Sequence, residues 1–391
     1  MPPLGLSVTS PVQSTAVVSW NMTEGVEYWV FFAPTATAPA AGQPAEKWIG
    51  QVGGNTLIKA TSPTTITGLA NGRSYSFTVN GRVSGGPGGA VAPAVTVTPQ
   101  PAGSRWFGGT PNPLGTADLR AVVSGSGFVA AGAGGALFYS ADSIAWAPIN
   151  FVTSTGINGL SYITNFLAVG DGGLILLSND TVTWSQQNSG TTQKLNAIAR
   201  SGTLAVAVGA GGTIITSFDG ITWSPATTPL ATTKDLYAVG FFAGNWYAAG
   251  AGGVLGKSVD GLVWTSLASN TTADLYALGY GSTTITTIAA GVTTLSAGVA
   301  YVAAGAGGAV LTSSDGTGWS AQTLPGGQAV NGVVFSLQFV AVGAGGSIFT
   351  SPDAQTWTAV ASGTTKDIAA ITTSSLGMVA VGQAGLNLVS R

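Results

Sequence analysis

The chain has no cysteine and no histidine in 391 residues, and only 7% of it is charged. The lack of cysteine excludes disulfides, thiolate ligands and a thiol nucleophile. The lack of histidine removes the usual general base at neutral pH and the commonest metal ligand. The 12 Lys and Arg residues are scattered and the net charge is −2. No clustered basic surface is therefore on offer to displace phosphate counterions, and no nucleic-acid partner is expected. A long amphipathic helical pattern is also missing. The most apolar stretch, Ile288 to Leu311, is broken by Thr, Ser and paired Gly, so no membrane insertion is expected. The opening MPPLGLSVTS carries neither the basic nor the apolar region of a secretory signal. A surface location would then be reached without a classical signal, or after loss of a leader. No cofactor and no metal are expected.

What the chain does have is glycine, 59 residues of it, among abundant Ala, Val, Thr and Ser. This composition borders on that of disordered chains, but β-branched and aromatic residues recur at regular places, so a core can form. Short apolar runs between glycine turns predict an all-β protein. The length leaves room for two or three domains.

From Trp106 to Trp357 one phrase recurs: an apolar run, Val/Ala-x-Gly-x-Gly-Gly, a second apolar run, then Ser-x-Asp-x-x-x-Trp. Its second half runs Ser140, Asp142, Trp146; Ser178, Asp180, Trp184; Ser217, Asp219, Trp223; Ser258, Asp260, Trp264; Ser313, Asp315, Trp319; and Ser351, Asp353, Trp357. Successive Trp residues lie 38 to 41 apart, except for one gap of 55 between Trp264 and Trp319. A period near forty with about four short strands per unit predicts the blades of a β-propeller.

In the third unit, strand A is expected over Leu195–Ala199, strand B over Leu204–Val208, strand C over Thr213–Thr216 and strand D from Trp223. Gly209 to Gly212 form a tight B–C turn needing positive φ. Ser217 to Gly220 form a C–D turn in which the carboxylate accepts backbone amides. A seventh unit, Ile368 to Val389, supplies strands A to C, with Gly382 to Gly385 as its turn. Its missing strand D is available at Ser104–Phe107, which would close a ring of seven blades and leave no open sheet edge.

Residues 1–98 differ. Strand-like runs at Ala16–Trp20, Glu27–Phe32, Thr64–Ile66, Ser74–Val79 and Ala94–Thr98, with Pro- and Gly-rich turns, suggest a two-sheet sandwich of about seven strands. Trp20 sits where a core aromatic belongs. Leu69 to Tyr75 has the spacing of a tyrosine corner, in which the phenol bonds upstream backbone. Together these residues resemble a fibronectin type III module. Residues 99–103 read as a short linker, and 104–391 as the propeller.

The Ser-x-Asp-x-Gly-x-x-Trp phrase resembles the Asp-box of bacterial neuraminidase repeats and is similar to the propellers of photosystem II assembly factors. Gly220, Gly261 and Gly316 keep its glycine; Ser143, Thr181 and Ala354 replace it. The resemblance implies that the boxes are structural turns opposite any active face. A neuraminidase would need a Tyr activated by Glu and an Arg cluster. Residues 105–391 contain no Glu, and their only Arg residues are Arg105, Arg120, Arg200 and Arg391. That catalytic set cannot be assembled, and no catalytic residue is assigned.

Two sets of residues are candidates for ligand contact. Arg120, Asn158, Asn196, Tyr237, Tyr276, Asn331 and Ala369 share a variable position just inside strand A, which fits a channel-facing residue. Asn, Tyr and Arg offer the hydrogen bonds and ring faces that a sugar uses, or they hydrate the channel and satisfy neighbouring backbone. Asp118, Asp235, Asp274 and Asp367 stand immediately before strand A, joined by Asp171 in one B–C turn. These aspartates could hold a cation or act as acid and base. The repeated context Thr-Thr-Lys-Asp at 232–235 and 364–367 points instead to a structural cap. Trp246 aligns with Phe128, Phe166, Tyr301 and Phe339 as core. The extra residues of the fifth unit, around Gly281 to Gly298, read as a protruding hairpin on the Asp-box face, either a partner contact or neutral loop growth.

Three classes compete. The first is a non-enzymatic virion or surface protein, similar to phage head and tail decoration proteins or fibres, attaching to host-surface glycan. It would be present in many copies beside other structural proteins of a particle or cell surface, at the virion or extracellular surface. The second is a secreted bacterial lectin. The third is a glycan-cleaving enzyme using the mouth aspartates. Composition and the missing Glu favour the first.

Overall fold

The computed structural model describes residues 2–10, 13–40, 42–83, 90–108, 114–151, 153–289 and 292–391, with backbone alone over 284–289 and 292–296. The chain is all-β, and strands alternate with turns and single 3-10 turns. It divides into two compact units, residues 1–102 with Arg391, and residues 103–390.

The first unit has two antiparallel sheets. One orders Ser7–Thr9, Ala16–Ser19 and Thr64–Ile66; the other orders Asn55–Leu57, Val26–Pro34, Tyr75–Val83 and Val95–Val97. The alternation that predicted strands also fills the core, which holds Val18, Trp20, Tyr28, Val30, Ile66, Leu69, Phe77 and Val79. The Ala70 amide donates to the Tyr75 hydroxyl at 3.1 Å, so the expected corner contact is present. Sequence reading did not anticipate the 3-10 turn Ala45–Trp48, which buries Trp48 against Phe31.

Among the described residues the second unit contains seven four-stranded antiparallel sheets. In six of them, numbered 1 to 6 by their strands A (Leu119–Gly125, Ile157–Tyr162, Leu195–Ser201, Leu236–Phe242, Leu275–Ala289 and Val330–Ser336), strands A to D follow in chain order; sheet 3 is Leu195–Ser201, Leu204–Gly209, Ile214–Ser217 and Ser224–Pro225. The seventh joins Ile368–Ser374, Gly377–Gly382 and Asn387–Ser390 to Phe107–Gly108, with Leu388 opposite Gly108 and Val389 opposite Phe107. Strand A of each sheet packs on strand A of the next, and that of sheet 7 on that of sheet 1, so the sheets form a closed ring. Aliphatic clusters fill the space between neighbours; Leu167, Val169, Ile175, Leu195, Ala205, Ala207 and Trp223 do so between sheets 2 and 3. Trp246 is core, packed edge-on against Phe241. Gly103, expected in the linker, instead belongs to this unit, because its amide donates to Ser390 Oγ.

Two kinds of turn hold each sheet. In the C–D turn, Asp219 Oδ1 accepts the amides of Ile221 and Thr222 at 2.8 and 2.7 Å, and Trp223 Nε1 donates to the Gly220 carbonyl. The two amide contacts recur at Asp142, Asp180, Asp260, Asp315 and Asp353. In the B–C turn, Gly211 and Gly212 take φ of 63° and 75°, in the left-handed region that favours glycine. Gly209 is extended and is needed for another reason: a Cβ there would lie 2.0 Å from the Lys194 carbonyl. The fifth-sheet insertion is a continuation of strands A and B, Leu275–Ala289 paired with Val292–Gly305. The side chains of 284–296 lie outside the described residues.

Candidate functional site: the channel mouth

Strand A of every sheet carries the same irregularity. In sheet 3, Leu195 pairs with Gly209 and Ala197 with Val208, so Asn196 is left out of the ladder as a bulge. The register shifts at the corresponding residue in the other six sheets: Arg120, Asn158, Tyr237, Tyr276, Asn331 and Ala369. A bulge re-aims its side chain and leaves ladder groups unpaired. All seven bulge residues line one central cavity of about 560 Å³. Two residues further along each strand, Val122, Leu160, Ile198, Val239, Leu278, Val333 and Ile371 line the same cavity. The site is a cup with a polar rim and an aliphatic floor.

The rim residues do two different jobs. Asn158, Asn196 and Asn331 donate Nδ2 to the carbonyls of Leu195, Leu236 and Ile368 at 3.0, 2.8 and 2.9 Å. Each acceptor is the residue just before the bulge of the next sheet, so these asparagines fasten neighbouring sheets through carbonyls at the break in the ladder. Asn158 also donates to Asp171 and accepts from Arg120. Tyr237 and Tyr276 make no such bond among the described residues. Their rings stand 5.3 Å apart at 59° and remain half-exposed to the cavity. Burial, followed by the nearby Asp274, raises both phenols above the ordinary tyrosine range. Ala369 contributes only a methyl group.

The mouth aspartates are turn caps. Asp235 Oδ1 accepts the Gly211 amide at 2.9 Å, Asp274 that of Gly252 at 2.7 Å and Asp367 that of Gly345 at 2.8 Å. In each case the capped turn belongs to the preceding sheet. Asp118 repeats the contact across the ring seam with the Ala384 amide at 2.9 Å. Between sheets 2 and 3 the charges are exchanged: Lys194 occupies the cap position and Asp171 lies in the turn, 4.0 Å apart. Arg120 lies 3.6 Å from the same carboxylate. These pairs are between two-fifths and half exposed and contribute little stability.

The 14 acidic residues include Glu24, Glu27 and Glu46, which leaves eleven aspartates. Six serve C–D turns, four cap B–C turns and Asp171 is ion-paired. Among the described residues no three acidic groups gather as a metal site. The expectation of ligand contact therefore narrows: the asparagines and capping aspartates are engaged with backbone, and the tyrosines face the cup. The aliphatic floor was missed in the sequence because the bulge breaks the two-residue alternation. Its signal was a Val, Leu or Ile two residues after each rim position.

No family model matches the chain, and no curated protein matches its sequence. Solved structures are similar in fold. YCF48 from Cyanidioschyzon merolae is 17% identical with a TM-score of 0.55, over 73% of this chain and 98% of that one. A structure of YCF48 bound to D1 peptide is 15% identical with a TM-score of 0.56, over 74% and 97%. The WD40 β-propeller domain of Doa1 is 12% identical with a TM-score of 0.57, over 74% and 96%. These likenesses show a β-propeller. Among the described residues no helix is long and apolar enough to cross a membrane.

Proposed function

We propose that the chain is a non-enzymatic attachment protein carried on a virion, as a head or tail decoration or fibre, or on another surface. In this reading residues 104–391 are a seven-bladed propeller of the Asp-box type, and residues 1–98 a fibronectin type III-like sandwich serving as spacer or anchor. The channel mouth binds a host-surface glycan. The observation that carries the reading is the Tyr237–Tyr276 pair, two ring faces at the rim of a cup of about 560 Å³. Sugars present apolar C–H faces to aromatic rings and hydroxyls to planar polar groups. Six recurrent Ser-x-Asp contacts support the Asp-box assignment, and the Tyr75 corner supports the sandwich. The engagement of the mouth carboxylates with backbone favours binding over catalysis. Weak single-site affinity would be amplified by many copies beside other structural proteins of a particle.

The test is a glycan array probed with the full chain, including bacterial surface polysaccharides, with mass spectrometry of the bound species. Binding without cleavage, lost in Tyr237→Ala and Tyr276→Ala, is the expected result. Release of a cleaved fragment would put a glycan-cleaving enzyme in its place, and no binding across the array would remove the glycan reading. A second reading, docking of a peptide, is favoured by the aliphatic floor, which would accept an apolar side chain; YCF48, similar in fold, has been solved bound to D1 peptide.

A further inference from the structure

We propose that the Tyr237–Tyr276 corner of the mouth is a seat for a protonated primary amine, so that the sugar recognised there carries a free amino group. This rests on the glycan reading and names the chemistry of its ligand. Sheets 3 to 5 meet at this corner, where acceptors and ring faces stand beside Lys194 and Lys234. Asn196 gives its Nδ2 to the Leu236 carbonyl at 2.8 Å, which fixes the amide and leaves Oδ1 as the end without a partner among the described residues. A donor is what that oxygen can take. Asp235 holds the Gly211 amide with Oδ1 alone, and its second oxygen has no partner among the described residues. Asp274 takes the Gly252 amide on Oδ1 and lies 3.4 Å from the Tyr276 hydroxyl through Oδ2.

The two rings form adjacent walls 5.3 Å apart at 59°. Burial and the neighbouring carboxylates keep their phenols protonated. Neutral tyrosine faces beside carboxylates favour an ammonium group, through the ring quadrupole and through charge-assisted hydrogen bonds. The cations of the mouth make contacts of their own. Arg120 and Lys194 lie beside Asp171, and Lys234 Nζ is 3.4 Å from the Gly252 carbonyl, with no ion pair to Asp235 or Asp274 among the described residues.

The experiment is a titration of the full chain with glucosamine, N-acetylglucosamine, glucose and butylammonium, following the tyrosine ring signals by NMR. It is run at about pH 6, below the ordinary range of such an amine. Glucosamine is expected to perturb Tyr237 and Tyr276 at concentrations about tenfold lower than the other two sugars. The preference should be lost in Asp235→Asn, whose amide oxygen can still accept from Gly211, and whose unchanged melting would show the fold intact. Equal binding of the three sugars at the tyrosines would overturn the amine seat and leave the glycan reading standing. Butylammonium binding with no sugar binding would support the seat and overturn the glycan reading. No response to any of the four overturns the amine seat.

Discussion

Gly103 and Ser390 meet at the seam of the ring, the Gly103 amide donating to Ser390 Oγ at 2.8 Å. Gly220 makes the same contact with Ser217, also at 2.8 Å, within one continuous turn of sheet 3. Trp106 continues the correspondence, since its Nε1 donates to the Gly103 carbonyl as that of Trp223 donates to Gly220. The seventh C–D turn is thus assembled from the two ends of the ring. It keeps the serine and the tryptophan of the other six turns, and the positive-φ glycine that three of them have at Gly220, Gly261 and Gly316.

If that seam closes the ring, its aromatic plug carries a large share of the closure energy. Trp106→Ala is expected to cost about 3–5 kcal/mol, as for other buried aromatics. Ser390→Ala, which removes one hydrogen bond, should cost about 1 kcal/mol. Denaturant unfolding of the two variants checks this. A Trp106→Ala protein with unchanged midpoint would show that strand pairing at Phe107 does not close the ring.

The turn aspartates make stability acid-sensitive in a defined window. Pairs of backbone amides hold the carboxyls of Asp142, Asp180, Asp219, Asp260 and Asp315 below the ordinary aspartate range. At Asp353 burial opposes the shift, but the amides of Thr356 and Gln355 prevail. A carboxyl whose folded value is depressed contributes stability above its unfolded value of about 3.9, and that contribution is lost as pH falls through the lower folded one. There is no histidine to titrate between about pH 5 and 8. The melting temperature is therefore expected to stay level from about pH 8 to 5 and to fall below about pH 4. A drop between neutrality and pH 5 would contradict this assignment of the acid-sensitive groups.

The seventh B–C turn carries a defect that can be repaired. Ala384 has φ of 51° where Gly211 has 63° and Gly345 has 63°. An L-residue there is strained by about 1–2 kcal/mol, partly offset by the entropy that glycine loses on folding. Ala384→Gly should stabilise the protein by about 0.5–1 kcal/mol, and Gly211→Ala should destabilise it by a similar amount. A Cβ at Gly211 meets nothing within 4 Å, so the effect isolates backbone strain from packing. Equal and unchanged melting in both variants would show that the turns relax freely.

Much of this architecture was legible in the sequence, because a repeated blade repeats its side-chain chemistry. Each Ser-x-Asp…Trp spelled out a C–D turn whose hydrogen bonds the structure contains; the truncated seventh unit pointed to Ser104–Phe107 as its partner, and the pairing strand is Phe107–Gly108, shifted toward the end of that range. The glycines were read less fully. Gly209 and its equivalents looked like turn residues, yet they are extended and exclude a Cβ from the carbonyl before strand A. The division of labour at the rim was hidden for a related reason. One column of the repeat aligned Asn196 with Tyr237, and both are bulge residues; the asparagine amide reaches the carbonyl beside the next sheet's bulge while the tyrosine ring stays at the cavity, and the bulge that sets that carbonyl there leaves no mark in residue type.

That division gives the sharpest separation of structure from binding. Asn196→Ala removes the donor from the Leu236 carbonyl beside the bulge of sheet 4. It should cost about 1–2 kcal/mol, the penalty of an unsatisfied backbone acceptor. Tyr276→Ala occupies the same column one sheet beyond Tyr237 but breaks no bond between sheets, only a 3.4 Å contact to Asp274 and one ring wall. Being half-exposed, it should change stability by less than about 1 kcal/mol while abolishing ligand binding at the mouth. Parallel melting and glycan-binding curves for the two variants check this. If Tyr276→Ala unfolds as readily as Asn196→Ala, the tyrosines are part of the ring's fastening, and the binding site must be sought elsewhere.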